Sequence, residues 1–124
     1  MSTRGPVESY RDLEVWQRGI LLVERVYDVT EEFPKEEQYE LTSQLRRAAV
    51  AIPSNIAEGW GYSSRDEYVY YLEQARSSLM EVETQIIIAE RLSYVTEEIR
   101  DEILQKTTTE SKMLLSLMRS LRSS

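Results

Sequence analysis

A chain of 124 residues with 22 acidic and 15 basic side chains, a formal net charge of -7 and a pI near 4.7, has the size of one domain and lacks the basic balance of most nucleic-acid binders. Cysteine and histidine are both absent, which excludes disulfides, thiol nucleophiles, Ser-His-Asp and Cys-His catalysis, ordinary zinc sites and the Glu-x-x-His ligands of a di-iron bundle. Apolar residues make up 41% and charged residues 30%, with only four glycines and three prolines, a globular balance with too few turn residues for a many-stranded β fold.

The amino-terminal stretch MSTRGPVESY has no apolar segment of a secretory signal, and residues 1–9 are expected to be flexible. The first helix is predicted over about 12–31. Leu13, Trp16, Ile20, Val23, Tyr27 and Thr30 form one seam with heptad-like steps, and Val15, Gly19, Leu22, Val26 and Val29 form a second about 100° round the helix. Two seams are more apolar surface than one partner helix covers, so Val15, Leu22 and Val26 are candidates for an interface between copies. Pro34 ends the segment.

The second helix is predicted over about 38–59, with Leu41, Leu45, Ala48, Ile52, Ile56 and Gly59 as its seam. Pro53 lies in its middle, where it removes the donor for the Ala49 carbonyl at a cost of roughly 3 kcal/mol, and a kink is expected there. Ser54 and Asn55 are the nearby side chains able to bond freed backbone groups. Gly59, Gly61, Ser63 and Ser64 mark the break that follows.

The third helix, about 65–93, opens with the capping box Ser64-Arg65-Asp66-Glu67. Tyr68, Leu72, Ala75, Leu79, Val82, Ile86, Ala89 and Ser93 form its seam. Val69, Met80, Ile87, Ile88 and Tyr94 fall outside it, so this helix is either central or in contact with a second subunit. Tyr71, Met80 and Ile87 join the candidate interface.

The fourth helix, about 97–122, has Thr96 as N-cap and Glu97 and Glu98 at the positive end of its dipole. Its seam of Leu104, Thr107, Ser111, Leu114, Met118 and Leu121 is polar in the middle, so it is expected to be the least firmly packed. The longest apolar run, Ile86 to Ala89, is far below the roughly 20 residues of a membrane span. Four amphipathic helices with short connections predict one all-α domain over 1–124, an antiparallel up-down-up-down four-helix bundle in the cytoplasm.

The stretch LTSQLRRAAVAIPSNIAEGWG at Leu41 to Gly61 resembles the signature of the 23S rRNA intervening-sequence proteins, also called S23. YRDLEVWQRG at Tyr10 to Gly19, FPKEEQYELTSQLRRA from Phe33 and SLMEVETQIIIAERLSYV at Ser78 to Val95 agree in order. Ser77 and Ser93 stand where glycine is expected. The resemblance implies a small four-helix bundle that assembles into a ring-like homopentamer, with many members encoded inside 23S rRNA genes. It also implies kinship with the strongly basic accessory protein of diversity-generating retroelements, which binds nucleic acid and a reverse transcriptase. It implies no catalytic activity and no cofactor.

Arg46 and Arg47 are the only charges between Glu40 and Glu58. They are candidates for phosphate contact, or for salt bridges at an interface between copies. Lys106, Lys112, Arg119 and Arg122 against Glu110 give a local balance of +3, the remaining nucleic-acid candidate. Arg11, Arg18 and Arg25 share a face on which Glu14 pairs with Arg18 and Asp28 with Arg25. The tyrosines Tyr68, Tyr70 and Tyr71 with Trp60 read as packing, with base stacking as the alternative. Glu58, among small residues, is the acid expected to be partly buried, and no carboxylate pair is arranged for catalysis. Two functions follow: a non-enzymatic oligomeric bundle that contacts rRNA or other nucleic acid through these basic residues, or an acidic scaffold that binds a protein partner.

Overall fold

The structure, a computed structural model, describes residues 6–62 and 64–123. Four helices follow in order: α1 (Glu14–Thr30), α2 (Leu41–Trp60), α3 (Arg65–Arg91) and α4 (Glu97–Ser123), with 3-10 turns at Tyr10–Asp12 and Lys35–Glu37. Among the described residues α1 packs on α2 and α4, and α3 packs on α2 and α4, with no close backbone approach across either diagonal. Short connections make successive helices antiparallel, so the molecule is an all-α four-helix bundle.

The flexibility expected at the start falls partly on residues 1–5, which lie outside the described residues. Of the rest, Glu8 and Ser9 donate their amides to Asp12 Oδ2 at 2.9 and 3.1 Å, and Ser9 caps the first 3-10 turn. Helix α2 begins at Leu41, the first residue of its seam, and not at about 38 as expected: a 3-10 turn occupies Lys35–Glu37 and the Leu41 amide donates to Glu37 Oε1 at 3.2 Å. Ser64 Oγ accepts from the Glu67 amide and Thr96 Oγ1 from the Ile99 amide, the N-caps their sequences specify.

Helix α3 stops at a Schellman arrangement. The Tyr94 amide donates to the Ala89 carbonyl at 2.8 Å and the Ser93 amide to Glu90 at 2.9 Å, with Ser93 at φ 66°. This left-handed position favours glycine, so the resemblance to a family with glycine there has a backbone explanation.

The core runs the length of the bundle through Leu45, Ile52, Ile56, Leu72, Leu79, Ile86, Ile103 and Leu114. On α1 the seam that enters it is Val15, Gly19, Leu22, Val26 and Val29, while Leu13, Trp16 and Val23 pack at its margin and Tyr27 is exposed. Val15, Leu22 and Val26 are therefore not available as an outward interface. They face α2 and α4 because the helix turns its more aliphatic stripe inward and leaves the bulkier aromatic one at the edge.

Helix α2 is continuous through Pro53, which is buried. Asn55 Nδ2 bonds back to the Ala51 carbonyl at 2.8 Å, two residues on from the Ala49 carbonyl that the proline leaves without a donor. On α4 the buried stripe is Ile103, Thr107, Glu110, Leu114 and Met118, rotated from the expected Leu104 and Ser111. Among the described residues, no helix is long and apolar enough to cross a membrane.

Candidate functional site

The sequence-predicted interface residues divide between interior and surface. Val15, Leu22 and Val26 are inside the bundle and Tyr71 is half-buried, whereas Met80 and Ile87 are exposed on α3 at 49% and 37%. Ile88 and Leu92, also exposed, continue the same strip. Together with Thr84 and Arg91, Ile87, Ile88 and Leu92 line a shallow furrow of about 320 Å³. The spacing of Met80, Thr84, Ile87, Ile88 and Leu92 is that of one helix face. It is a second apolar stripe beyond the one that the bundle buries.

The tyrosines at the α2–α3 turn form a packed cluster that is wet at its rim. Gly59 lets this turn close, since a Cβ there would stand 2.9 Å from both Tyr68 Cδ1 and Tyr71 Cβ. Tyr68 is buried and edge-on to Trp60 at 6.3 Å, and Tyr62 stacks on Tyr71 at 5.2 Å. A hydrogen bond with Tyr62, reinforced by desolvation, pushes the Tyr71 phenol up to about 12. Glu58, expected to be partly buried here, is exposed, because its position on α2 points between the turn and solvent.

Arg46 and Arg47 play different parts. Arg46 folds along its own chain: Nε donates to Thr30 Oγ1 at 2.7 Å, Nη2 lies 3.7 Å from Glu31 Oε2, and the guanidinium sits 4.4 Å from the Tyr27 ring centre. The interactions expected of it in an oligomer are thus made within one subunit. Arg47 is exposed and, among the described residues, hydrogen-bonds to the nearby Ser43 hydroxyl at 3.2 Å. Both arginines line a cleft of about 480 Å³ with Tyr27, Tyr39, Ser43 and Val50. Tyr39, 84% exposed, is the most solvated aromatic of the cleft and was not singled out from sequence.

The carboxy-terminal basic residues do not converge with these arginines. Lys106 stands 3.9 Å from Glu102 in the α1–α4 groove, Arg122 is bound to Glu73 of α3 at 3.0 Å, and Lys112 and Arg119 are exposed elsewhere on α4. On the face shared by Arg18 and Arg25, Arg18 pairs with Glu14 at 3.0 Å as expected. Arg25 reaches past Asp28 to α4, where it grips both oxygens of Glu102 at 2.7 Å. That two-pronged bond holds the Glu102 carboxyl below its usual range.

The buried acid is Glu110. It is 2% exposed, and neither carboxyl oxygen has a hydrogen-bond partner. Burial pushes its carboxyl up to about 8, with Arg18 opposing and Glu14 adding to the shift. Hydrophobicity patterns place a glutamate outside by default, so the sequence signal that finds it is the spacing 103–107–110–114–118 together with a glycine on the core-facing seam of α1. Among the described residues, no group of three or more acidic side chains is placed to hold a metal ion.

Comparison with known proteins reaches the same architecture. Residues 11–116 match the family described as 23S rRNA-intervening sequence protein. A crystal structure of a protein of unknown function from the S23 ribosomal protein family of Bacteroides thetaiotaomicron superposes with a TM-score of 0.76 at 25% identity, covering 84% of this chain and 97% of that one. No curated protein matches the chain.

Proposed function

The chain belongs to the 23S rRNA-intervening sequence protein family, and from that premise we propose that it is a non-enzymatic, self-assembling scaffold of the cytoplasm. Copies of the bundle join through the outer face of α3 into a homo-oligomer, which the family resemblance makes a ring of five. One observation carries this reading: Met80, Ile87, Ile88 and Leu92 remain exposed together on one face after the bundle has buried its own core. A continuous apolar strip of this kind on a soluble domain marks a contact surface. The lack of histidine and cysteine supports a binding role over a catalytic one.

The cleft between Arg46 and Arg47 supports a second reading, contact with RNA or another nucleic acid. Arg47, exposed and bonded only locally to Ser43 among the described residues, supplies a guanidinium for phosphate, and Tyr39 offers a face on which a base can stack. Assembly would repeat this cleft around the oligomer and so raise the local positive charge that one acidic subunit lacks. Lys106, Lys112, Arg119 and Arg122 add diffuse attraction only.

Sedimentation of the wild-type chain and Ile87→Glu tests the first reading. The expected result is a species several times the 14.5 kDa subunit mass for wild type and a folded single subunit for the variant. A wild-type monomer at working concentrations overturns the scaffold. RNA binding measured against salt tests the second: binding that weakens steeply with salt and with Arg47→Ala supports it. Absence of binding at low salt leaves a scaffold for a protein partner.

A further inference from the structure

We propose that Glu110 is a proton-operated latch that seats the carboxy-terminal half of α4 against α1 when neutral and releases it from α1 when ionised. Two residues without a side-chain donor, Gly19 and Pro53, lie beside the recess that receives the side chain. Gly19 of α1 has no side chain, and a Cβ there would stand 3.2 Å from Glu110 Oε2 and 3.4 Å from Pro53 Cβ. Pro53 of α2 has no amide hydrogen. A neutral carboxyl is tolerated in such a place, whereas a carboxylate with no donor is not.

The charges around it decide where an ionised side chain would go. From α1, Arg18 attracts it and Glu14 repels it, and Arg18 is held by Glu14 through Nε at 3.0 Å. From α2 the neighbour is Pro53, and no charge of that helix acts on the carboxyl. From α3, Arg76 is bonded to Ser111 and Glu83 to Thr107, on positions of α4 beside the acid. On α4 itself, Lys106 stands by Glu102. Among the described residues the attraction therefore comes from Arg18, which lines an open groove of about 280 Å³ between α1 and α4 with Leu21, Gln105, Lys106 and Thr109.

The geometry also gives the motion a fixed end. Arg25 clamps Glu102 of α4 with two bonds of 2.7 Å, two helical turns before Glu110. Beyond that clamp no ion pair between α1 and α4 is present among the described residues. Loss of the proton would turn Glu110 toward Arg18 and the groove and lift α4 from α1 beyond Thr109, while Arg25 and Glu102 keep the start of the helix in place.

Amide hydrogen exchange of the full-length chain between pH 5.5 and 8.5, corrected for the intrinsic pH dependence, tests this. Opening of the second half of α4 should rise about tenfold per pH unit up to about pH 8 and then level off, as release of one proton requires. Helices α2 and α3 should keep their protection, and Glu110→Gln should make the α4 profile flat. A flat wild-type profile, a slope that survives in Glu110→Gln, or loss of protection in all four helices together each overturns the latch. If Glu110→Gln does not fold, the carboxyl carbon of Glu110 followed by NMR in the wild-type chain decides: titration in the ordinary glutamate range refutes the proposal, and titration well above it, in step with exchange of α4, upholds it.

Discussion

The guanidinium of Arg46 lies 4.4 Å from the centre of the Tyr27 ring and donates to Thr30 at 2.7 Å, so it ties α2 to the end of α1. Among the described residues the adjacent Arg47 bonds only locally, to Ser43. Arg46→Ala should therefore lower stability by about 1–2 kcal/mol, whereas Arg47→Ala should change it by less than about 0.5 kcal/mol. Urea denaturation of the two variants measures the difference. The same asymmetry makes Arg47→Ala the clean probe of nucleic-acid binding, because it leaves the fold intact.

At the end of α3, Ser93 holds φ 66° to let Tyr94 and Ser93 close the last carbonyls. Ser93→Gly removes the Cβ penalty of that conformation and should raise stability by roughly 0.5–1 kcal/mol. A lower thermal midpoint would show that the serine side chain contributes something that the backbone does not.

Gly59 sits where the end of α2 packs on the start of α3, with Tyr68 and Tyr71 against the space a Cβ would take. One contact is the backbone-proximal Cβ of Tyr71 at 2.9 Å, which cannot swing away as a side-chain tip can. Gly59→Ala should cost about 1–3 kcal/mol by overpacking, more than the helix propensity of alanine returns. Denaturant midpoints compare the two terms directly.

The pH dependence of stability has a definite sign. Glu110 holds its proton up to about pH 8 when folded, against an ordinary value of 4.5. The folded state therefore binds more protons between those limits, and stability falls as pH rises through that window, then levels. At about 1.4 kcal/mol per pH unit the full loss is on the order of 5 kcal/mol. Glu110→Met, similar in length and uncharged, should abolish this fall and be more stable than wild type at pH 8 by a few kcal/mol. Equal slopes in the two proteins would contradict the burial of that carboxyl.

Glu102 acts in the opposite direction. Its bond to Arg25 holds its carboxyl low, so the pair contributes stability above the ordinary glutamate range that is lost as pH falls through the lowered value. Arg25→Gln should be destabilised at neutral pH and should lose this acid-side dependence, readable in thermal midpoints between pH 2.5 and 6. A variant with wild-type midpoints at neutral pH would show the pair to be idle.

The helical periods in the sequence carry the count of helices and their approximate spans, and the N-caps of α3 and α4, because capping residues and 3.6-residue spacing are local properties. The resemblance centred on Leu41 to Gly61 carries the family. Helix rotation was less legible. Two stripes on α1 were nearly equal in apolar character, and only the fit of Val15, Leu22 and Val26 between α2 and α4 decided which turned inward. The assignment of those three residues to an outer interface failed for that reason, while Met80 and Ile87, on a stripe that no helix of the chain covers, remained outside.

One pairing and one burial inferred from local sequence had the same fate as the stripes. Arg25 was near Asp28 in sequence, yet Glu102 of α4 offered both oxygens across the groove, a better acceptor than a neighbour on a solvated surface. Glu58 lay among small residues but faced outward, and Glu110 took the interior because Gly19 and Pro53 left a side-chain-sized recess opposite it. By itself the sequence determined what each helix is, since capping and periodicity act within one segment. The buried faces of α2 and α3 follow from their seams; which face α1 and α4 bury, which charges meet and which acid is enclosed were decided only by the packing of four helices against one another, because those choices depend on surfaces far apart along the chain.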